Sequence, residues 1–191
     1  MTLITLVRHG QTDWNLARRI QGSTDIPLND TGRRQAREAA ADLIVTDPVL
    51  LVSSDLARAV ETAQIIGAQR GWAGPQTFTA LRERNYGVAE GMTDTELVTR
   101  FGSWHTAEIP DAEPREQVAE RALRALAEIA AGVDDGTHVV AVSHGGVIGS
   151  LLRHLTGDPL PGLRIANGSA HTLRVENGTL LVHEPHLLPV A

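Results

Sequence analysis

Short unbroken apolar runs alternate along the chain with longer stretches in which apolar residues recur at helical spacing. Leu3-Ile4-Thr5-Leu6-Val7, Val49-Leu50-Leu51-Val52 and His138-Val139-Val140-Ala141-Val142 are runs of the first kind. A strand with no polar alternation is buried on both faces, which is the habit of parallel sheets. Between them, Ala36, Ala39, Ala40, Leu43 and Ile44 predict a helix entered through the turn Pro27-Leu28-Asn29-Asp30-Thr31-Gly32, with Thr31 as the expected cap. Leu56, Val60, Ala63 and Ile66 predict a second helix, with Ser53-Ser54-Asp55 supplying the cap and Gly71 the stop. Val118, Ala122, Ala125, Leu126 and Ile129 mark a third, running from Pro114 to Gly132, and residues 147–155 a fourth, ended by Gly157. A weaker strand is expected at 77–81. The runs 170–175 and 179–183 alternate, and the Asn177-Gly178 between them is a hairpin signal.

The order of these elements predicts a three-layer α/β/α fold: a mostly parallel sheet between helices, with an antiparallel edge hairpin near the C-terminus. One domain over residues 1–191 is expected, without repeats or linkers. From 92 to 115 no period holds beyond a short helix at Asp94–Phe101, and this stretch is expected to be a lid inserted over the rim of the sheet.

Composition narrows the chemistry. Apolar residues make up 42% and charged ones 21%, as in an ordinary globular chain. The net charge of −6 argues against a nucleic-acid binder, which needs a basic face. There is no Cys, and all 17 cationic side chains are Arg, since Lys is absent. Disulfides, Cys-ligated zinc, Cys nucleophiles, the Lys-dependent phosphate loop and Schiff-base catalysis are thereby excluded. The first apolar run has no basic segment ahead of it and is too short to span a bilayer, so no membrane association and a cytoplasmic location are expected.

Candidate catalytic residues gather where the strands end. The first strand breaks into Arg8-His9-Gly10-Gln11-Thr12 and the third into Ser143-His144-Gly145-Gly146. The second hands over to a helix that carries Arg58 in its first turn, and the charged loop Arg82-Glu83-Arg84-Asn85-Tyr86-Gly87 follows the weaker strand. Open α/β sheets bind ligands beyond the carboxyl ends of their strands. A phosphomonoester presents charge on several oxygens, and Arg8 and Arg58 are suited to fork onto them. His9, neutral near pH 7, could attack in line and form a phosphohistidine. Glu83 could protonate the leaving oxygen and then act as base on water. His144 is expected as an imidazolium beside the transferred oxygens, and the helix from Gly145 would aim its free N–H groups the same way.

Four ordered blocks resemble the histidine phosphatase superfamily, the phosphoglycerate mutase-like family: Arg8-His9-Gly10-Gln11-Thr12 with Asn15; Ser54-Asp55-Leu56-Ala57-Arg58-Ala59 with Glu61-Thr62-Ala63; Leu81-Arg82-Glu83 with Gly87 and Glu90-Gly91; and Ser143-His144-Gly145-Gly146. The resemblance implies a nucleophilic His9, a phosphate pocket of Arg8, Arg58 and His144, and Glu83 as proton donor. It also implies that Asn15, Gln21, Gly22 and Gly145 help hold phosphate or substrate, that Asn167 lies near the rim, and that no metal or other cofactor is needed. Two departures stand out. Ala89 occupies a place where family members often carry Trp, and the lid has only Arg100 and Arg115 where the mutase branch carries Lys and paired Arg.

The expected activity is hydrolysis of a small phosphorylated metabolite. A mutase-type transfer is the alternative, and a non-catalytic phosphate-binding module ranks behind both. Tyr86 could touch substrate or simply pack, and so could Trp104 and His105 in the lid. His183 and His186 in the tail are read as ordinary residues rather than metal ligands. The oligomeric state is left open, a homodimer included.

Overall fold

The computed structural model describes residues 1–102, 108–157 and 165–183. Trp104, His105 and His186 lie outside the described residues. Six strands form one sheet: β1 (Thr2–Arg8), β2 (Val49–Ser53), β3 (Gln76–Thr77), β4 (His138–Ser143), β5 (Ala170–Glu176) and β6 (Thr179–Val182). Their order across the sheet is β3-β2-β4-β1-β5-β6, with β3, β2, β4 and β1 parallel and β5 and β6 antiparallel. Asn177 and Gly178 both take positive φ (51° and 78°), the conformation a tight hairpin turn demands at two successive positions.

The unbroken apolar runs are buried on both faces, as their composition predicts. Ile4, Leu6, Val52, Val139 and Ala141 face helices α5 (Arg115–Ala131) and α6 (Gly145–Thr156). Val7, Leu51, Val140 and Val142 face α2 (Asp30–Asp42) and α3 (Ala57–Arg70). Two short helices, α1 (Asp13–Leu16) and α4 (Asp94–Phe101), lie off the sheet. Leu97 of α4 joins Ile20 and Ala89 in a small separate cluster that Tyr86, Met92, Phe101 and Ile109 surround. Ala89 is fully buried there, a small residue packed in the cluster.

Three local expectations need correction. The strand at 77–81 stops at Thr77; Phe78 still donates its N–H to Ser53 O (2.8 Å), but Thr79–Leu81 then coils into a 3-10 turn. That turn buries Leu81 completely and lets its carbonyl accept the Ser143 hydroxyl (2.9 Å), which continued extension along the sheet edge would forgo. Thr31 does not cap α2. Asn29 does, its Oδ1 accepting Gly32 N–H at 2.9 Å, and the earlier start puts Asp30 in the first turn where the helix dipole favours it. Ser53-Ser54-Asp55 ends one residue short of α3, whose cap position is Leu56 without a side-chain bond. The first free N–H groups find Ser54 Oγ (3.3 Å, from Leu56) and, from another loop, Asp25 Oδ1 (2.8 Å, from Ala57).

Candidate active site

Strand register brings the two histidines together. Arg8 pairs with Ser143 where the parallel strands β1 and β4 end, so the next residues, His9 and His144, emerge side by side. Their ring centroids are 5.1 Å apart with the planes at 61°. His9 N–H donates to Ser143 O (3.0 Å) and extends the ladder one step past the strands. Both side chains are buried.

His9 is held as a neutral base. Its Nδ1 lies 2.7 Å from Gly10 O, and because a carbonyl can only accept, Nδ1 carries the proton and Nε2 keeps the lone pair. Burial pushes its pKa well below the usual imidazole value, and the nearby Arg58 and Arg8 push it the same way, against the opposing pull of the Gly10 carbonyl. Burial, then Arg58, His9 and Arg8, hold His144 well below the ordinary value too, which favours the neutral imidazole where no anion faces it. Neither of its ring nitrogens has a hydrogen-bond partner among the described residues. A buried polar group of this kind costs free energy unless a ligand supplies its partner.

Arg58 is completely buried. Nη2 donates to Gly22 O (2.8 Å) and Nη1 to Thr24 O (2.9 Å), while Nε has no partner among the described residues. Arg8 donates through Nη1 to Ile165 O (2.5 Å). A Cβ on Gly145 would stand 3.2 Å from Arg8 Nε, so the first residue of α6 is in close contact with that guanidinium.

Glu83 reaches the same helix start. Its Oε2 accepts Gly146 N–H (3.0 Å) and its Oε1 accepts Arg84 N–H (2.8 Å). A Cβ at 146 would collide with this carboxylate, which explains a glycine in an otherwise helical position. One of the N–H groups expected to face phosphate is therefore engaged by Glu83.

The remaining predicted residues form the frame. Asn15 Oδ1 accepts from Thr12 N (3.1 Å), Thr12 Oγ1 (3.2 Å) and Asn167 Nδ2 (3.3 Å). Asn167 Nδ2 also donates to His9 O (2.9 Å), so Asn167 stands at the nucleophile's own backbone. Gln21 is buried and its Oε1 accepts the Thr12 hydroxyl (2.9 Å). Gly22 adopts φ +54°. Tyr86 lies under Arg84, whose Cζ is 5.0 Å from the ring centroid, and burial and Glu83 raise its pKa, so the phenol stays protonated.

Four residues were given no role by the sequence, although Thr62 and Glu90 stand in its motif blocks. Thr62 Oγ1 accepts Gly10 N–H (3.1 Å) and donates to Arg58 O (2.7 Å), locking the first loop to α3. Its position one helical turn after Arg58 was the available signal. Glu90 and Thr24 knit two loops together; Glu90 was marked by the Glu90-Gly91 pair, whereas nothing in the local sequence separates Thr24 from surface polar residues. Arg153, in the last turn of α6, carries a guanidinium that folds back to 3.9 Å from where a Gly149 Cβ would sit.

The model of the histidine phosphatase superfamily, branch 1, matches residues 4–185. An uncharacterized phosphatase, PhoE, of Bacillus subtilis (strain 168) is 38% identical over 169 residues, covering 87% of this chain and 85% of the relative. A probable phosphoglycerate mutase, GpmB, of Proteus mirabilis (strain HI4320) is 34% identical over 194 residues, covering 96% and 89%. The solved structure of a mycobacterial glucosyl-3-phosphoglycerate phosphatase complexed with VO3 has a TM-score of 0.81 at 33% identity, covering 90% of this chain and 92% of that one. The chain that carries Arg8-His9-Gly10 at the C-terminal end of β1 thus belongs to the histidine phosphatase superfamily. The chain is an enzyme of the phosphomonoesterase type, and mutase names among its relatives mark the alternative.

Proposed function

We propose that this enzyme hydrolyses small phosphomonoesters that carry a second acidic group, with water as the final phosphoryl acceptor. The observation that carries the reading is a neutral, buried His9 with Nε2 unprotonated, beside His144 and two guanidinium groups. Arg8, Arg58 and His144 hold the non-bridging oxygens. The Nε2 lone pair attacks phosphorus, the bond to the ester oxygen breaks, and Glu83 delivers its proton to that oxygen. Glu83 then takes a proton from water, whose oxygen attacks the phosphohistidine, breaking the N–P bond and releasing inorganic phosphate. The dianion brings His144 the partner it lacks, and His144 takes up a proton with it. The Asn15 carbonyl oxygen being committed to the first loop, its Nδ2 is the atom we assign to phosphate, with Gln21, Gly22 and Gly145 shaping the cradle.

The second acidic group is supported by three guanidinium groups around Tyr86. Arg84 and Arg153 each lie within electrostatic reach of Arg115 and of the phenol, and Tyr86 in turn feels Glu83, where the leaving group departs. The name of the glucosyl-3-phosphoglycerate phosphatase points to a phosphorylated acid as well. The cytoplasm is the compartment we assign, the Cys-free chain suiting a reducing one; among the described residues no helix is long and apolar enough to cross a membrane.

His9→Ala tests the reading. Turnover of p-nitrophenyl phosphate and of 3-phosphoglycerate should fall to background while the circular dichroism spectrum and melting temperature hold; full activity would overturn the mechanism. With the wild type, 3-phosphoglycerate should yield inorganic phosphate, and 2-phosphoglycerate as the main product would make the enzyme a mutase.

A further inference from the structure

Glu90 is tied into the site by four hydrogen bonds. Its Oε1 accepts Ser23 N–H (2.8 Å) and Tyr86 N–H (3.2 Å), and its Oε2 accepts Thr24 N–H (3.0 Å) and the Thr24 hydroxyl (2.5 Å). Four donors use the whole acceptor capacity of a carboxylate. Three of these bonds reach the loop that Arg58 grips and the fourth reaches the loop that carries Glu83.

The geometry at one peptide unit makes the connection specific. Gly22 O and Ser23 N–H belong to the same planar group and point in opposite directions. Arg58 Nη2 holds the carbonyl end and Glu90 Oε1 the N–H end. One residue on, Thr24 gives its N–H and hydroxyl to Glu90 while its carbonyl accepts from Arg58 Nη1. The guanidinium is thus clamped at both terminal nitrogens by carbonyls of residues on the loop that the carboxylate holds, Gly22 O through its shared peptide unit and Thr24 O through its own residue. Gly22 is part of the device: a Cβ there would strike Glu90 Oε1, and φ +54° suits glycine.

We propose that Glu90 is a positioning residue that aims Arg58 at the transferred phosphoryl group and holds the Glu83 loop against the phosphate loop. It acts through hydrogen bonds and not through its charge. Simple electrostatics makes the opposite claim, because an anion beside Arg58 weakens the hold on phosphate and its removal should tighten binding. Replacement by Gln separates the two. Gln matches Glu in size but turns one oxygen into an N–H donor, which must face backbone N–H groups that already need an acceptor. The clamp opens on that side, and a displaced guanidinium grips less well.

The inference rests on reading Arg58 as part of the phosphate grip, so the experiment carries an arm for each. Dissociation constants of orthovanadate and inorganic phosphate, with KM and kcat for p-nitrophenyl phosphate, are measured on wild type, Glu90→Gln, Thr24→Val and Arg58→Ala. In Glu90→Gln, KM and the vanadate dissociation constant should rise together by about tenfold to a hundredfold, the cost of misplacing a positioned group by a fraction of an ångström. Thr24→Val, which loses only the hydroxyl bond, should move both constants the same way by less. Unchanged or tighter vanadate binding in Glu90→Gln, with only the active fraction reduced, would make Glu90 structural and overturn the proposal. Should Glu90→Gln not fold, unaltered vanadate binding in Thr24→Val overturns it equally. If Arg58→Ala binds vanadate as wild type does, the phosphate-grip reading itself has failed.

Discussion

Gly146 shows how a single hydrogen atom in place of a side chain can set the chemistry. At this helical position alanine would suit the backbone better, yet Glu83 occupies the space a Cβ would need. Gly146→Ala should therefore move the carboxylate without unfolding the helix. Hydrolysis of an alkyl phosphate such as glycerol 3-phosphate, whose alkoxide needs a proton to leave, should fall by about a hundredfold. p-Nitrophenyl phosphate, whose leaving group departs unaided, should lose far less. Equal losses on the two substrates would remove Glu83 from the role of acid. His9, Arg58, Glu83 and His144 were legible as candidates because each stands where an apolar run ends or just beyond it. Their protonation was less so: burial, and then Arg58, His9 and Arg8, push the His144 imidazole toward its neutral form, and no linear spacing records that convergence.

At the scale of elements, the parallel strands were legible because burial on both faces leaves an unbroken apolar run. The sheet order was not, since β1 and β4 are neighbours through a crossover more than a hundred residues long. Caps fared worst. Asp25 serves α3 from a loop distant in sequence, and long-range partners of that kind leave no local trace. Helix α6 links two regions of the site along one face: Gly145 meets Arg8 at its start, and Arg153 folds back toward Gly149 from its last turn. Arg153 also lies within electrostatic reach of Tyr86. Arg153→Ala should raise KM for 3-phosphoglycerate about tenfold or more, the worth of a charge-assisted contact to the second acidic group, and leave glycerol 3-phosphate within twofold or so. An equal change for both substrates would assign Arg153 to packing.

Over the whole molecule, phosphate readiness and stability are coupled through the buried histidines. Burial and the neighbouring guanidinium groups keep His9 and His144 neutral, whereas in the unfolded chain an imidazole titrates near 6.5. Between the folded and unfolded values the unfolded chain binds more protons, so stability rises with pH across that window. It is at its full value above about pH 6.5 and is lost as the pH falls below, by about 1.4 kcal/mol per pH unit from each histidine. His138 and His171, also held below the ordinary value by burial, add to the loss with the same sign. Thermal melts between pH 8 and pH 5 should therefore show a plateau followed by a fall in melting temperature. Saturating inorganic phosphate should make the fall shallower, because the bound dianion favours protonated His144 and restores in the fold a proton the empty site refuses. A melting temperature flat down to pH 5, or a slope that phosphate leaves untouched, would mean that His144 neither resists a proton in the empty site nor accepts one with the anion.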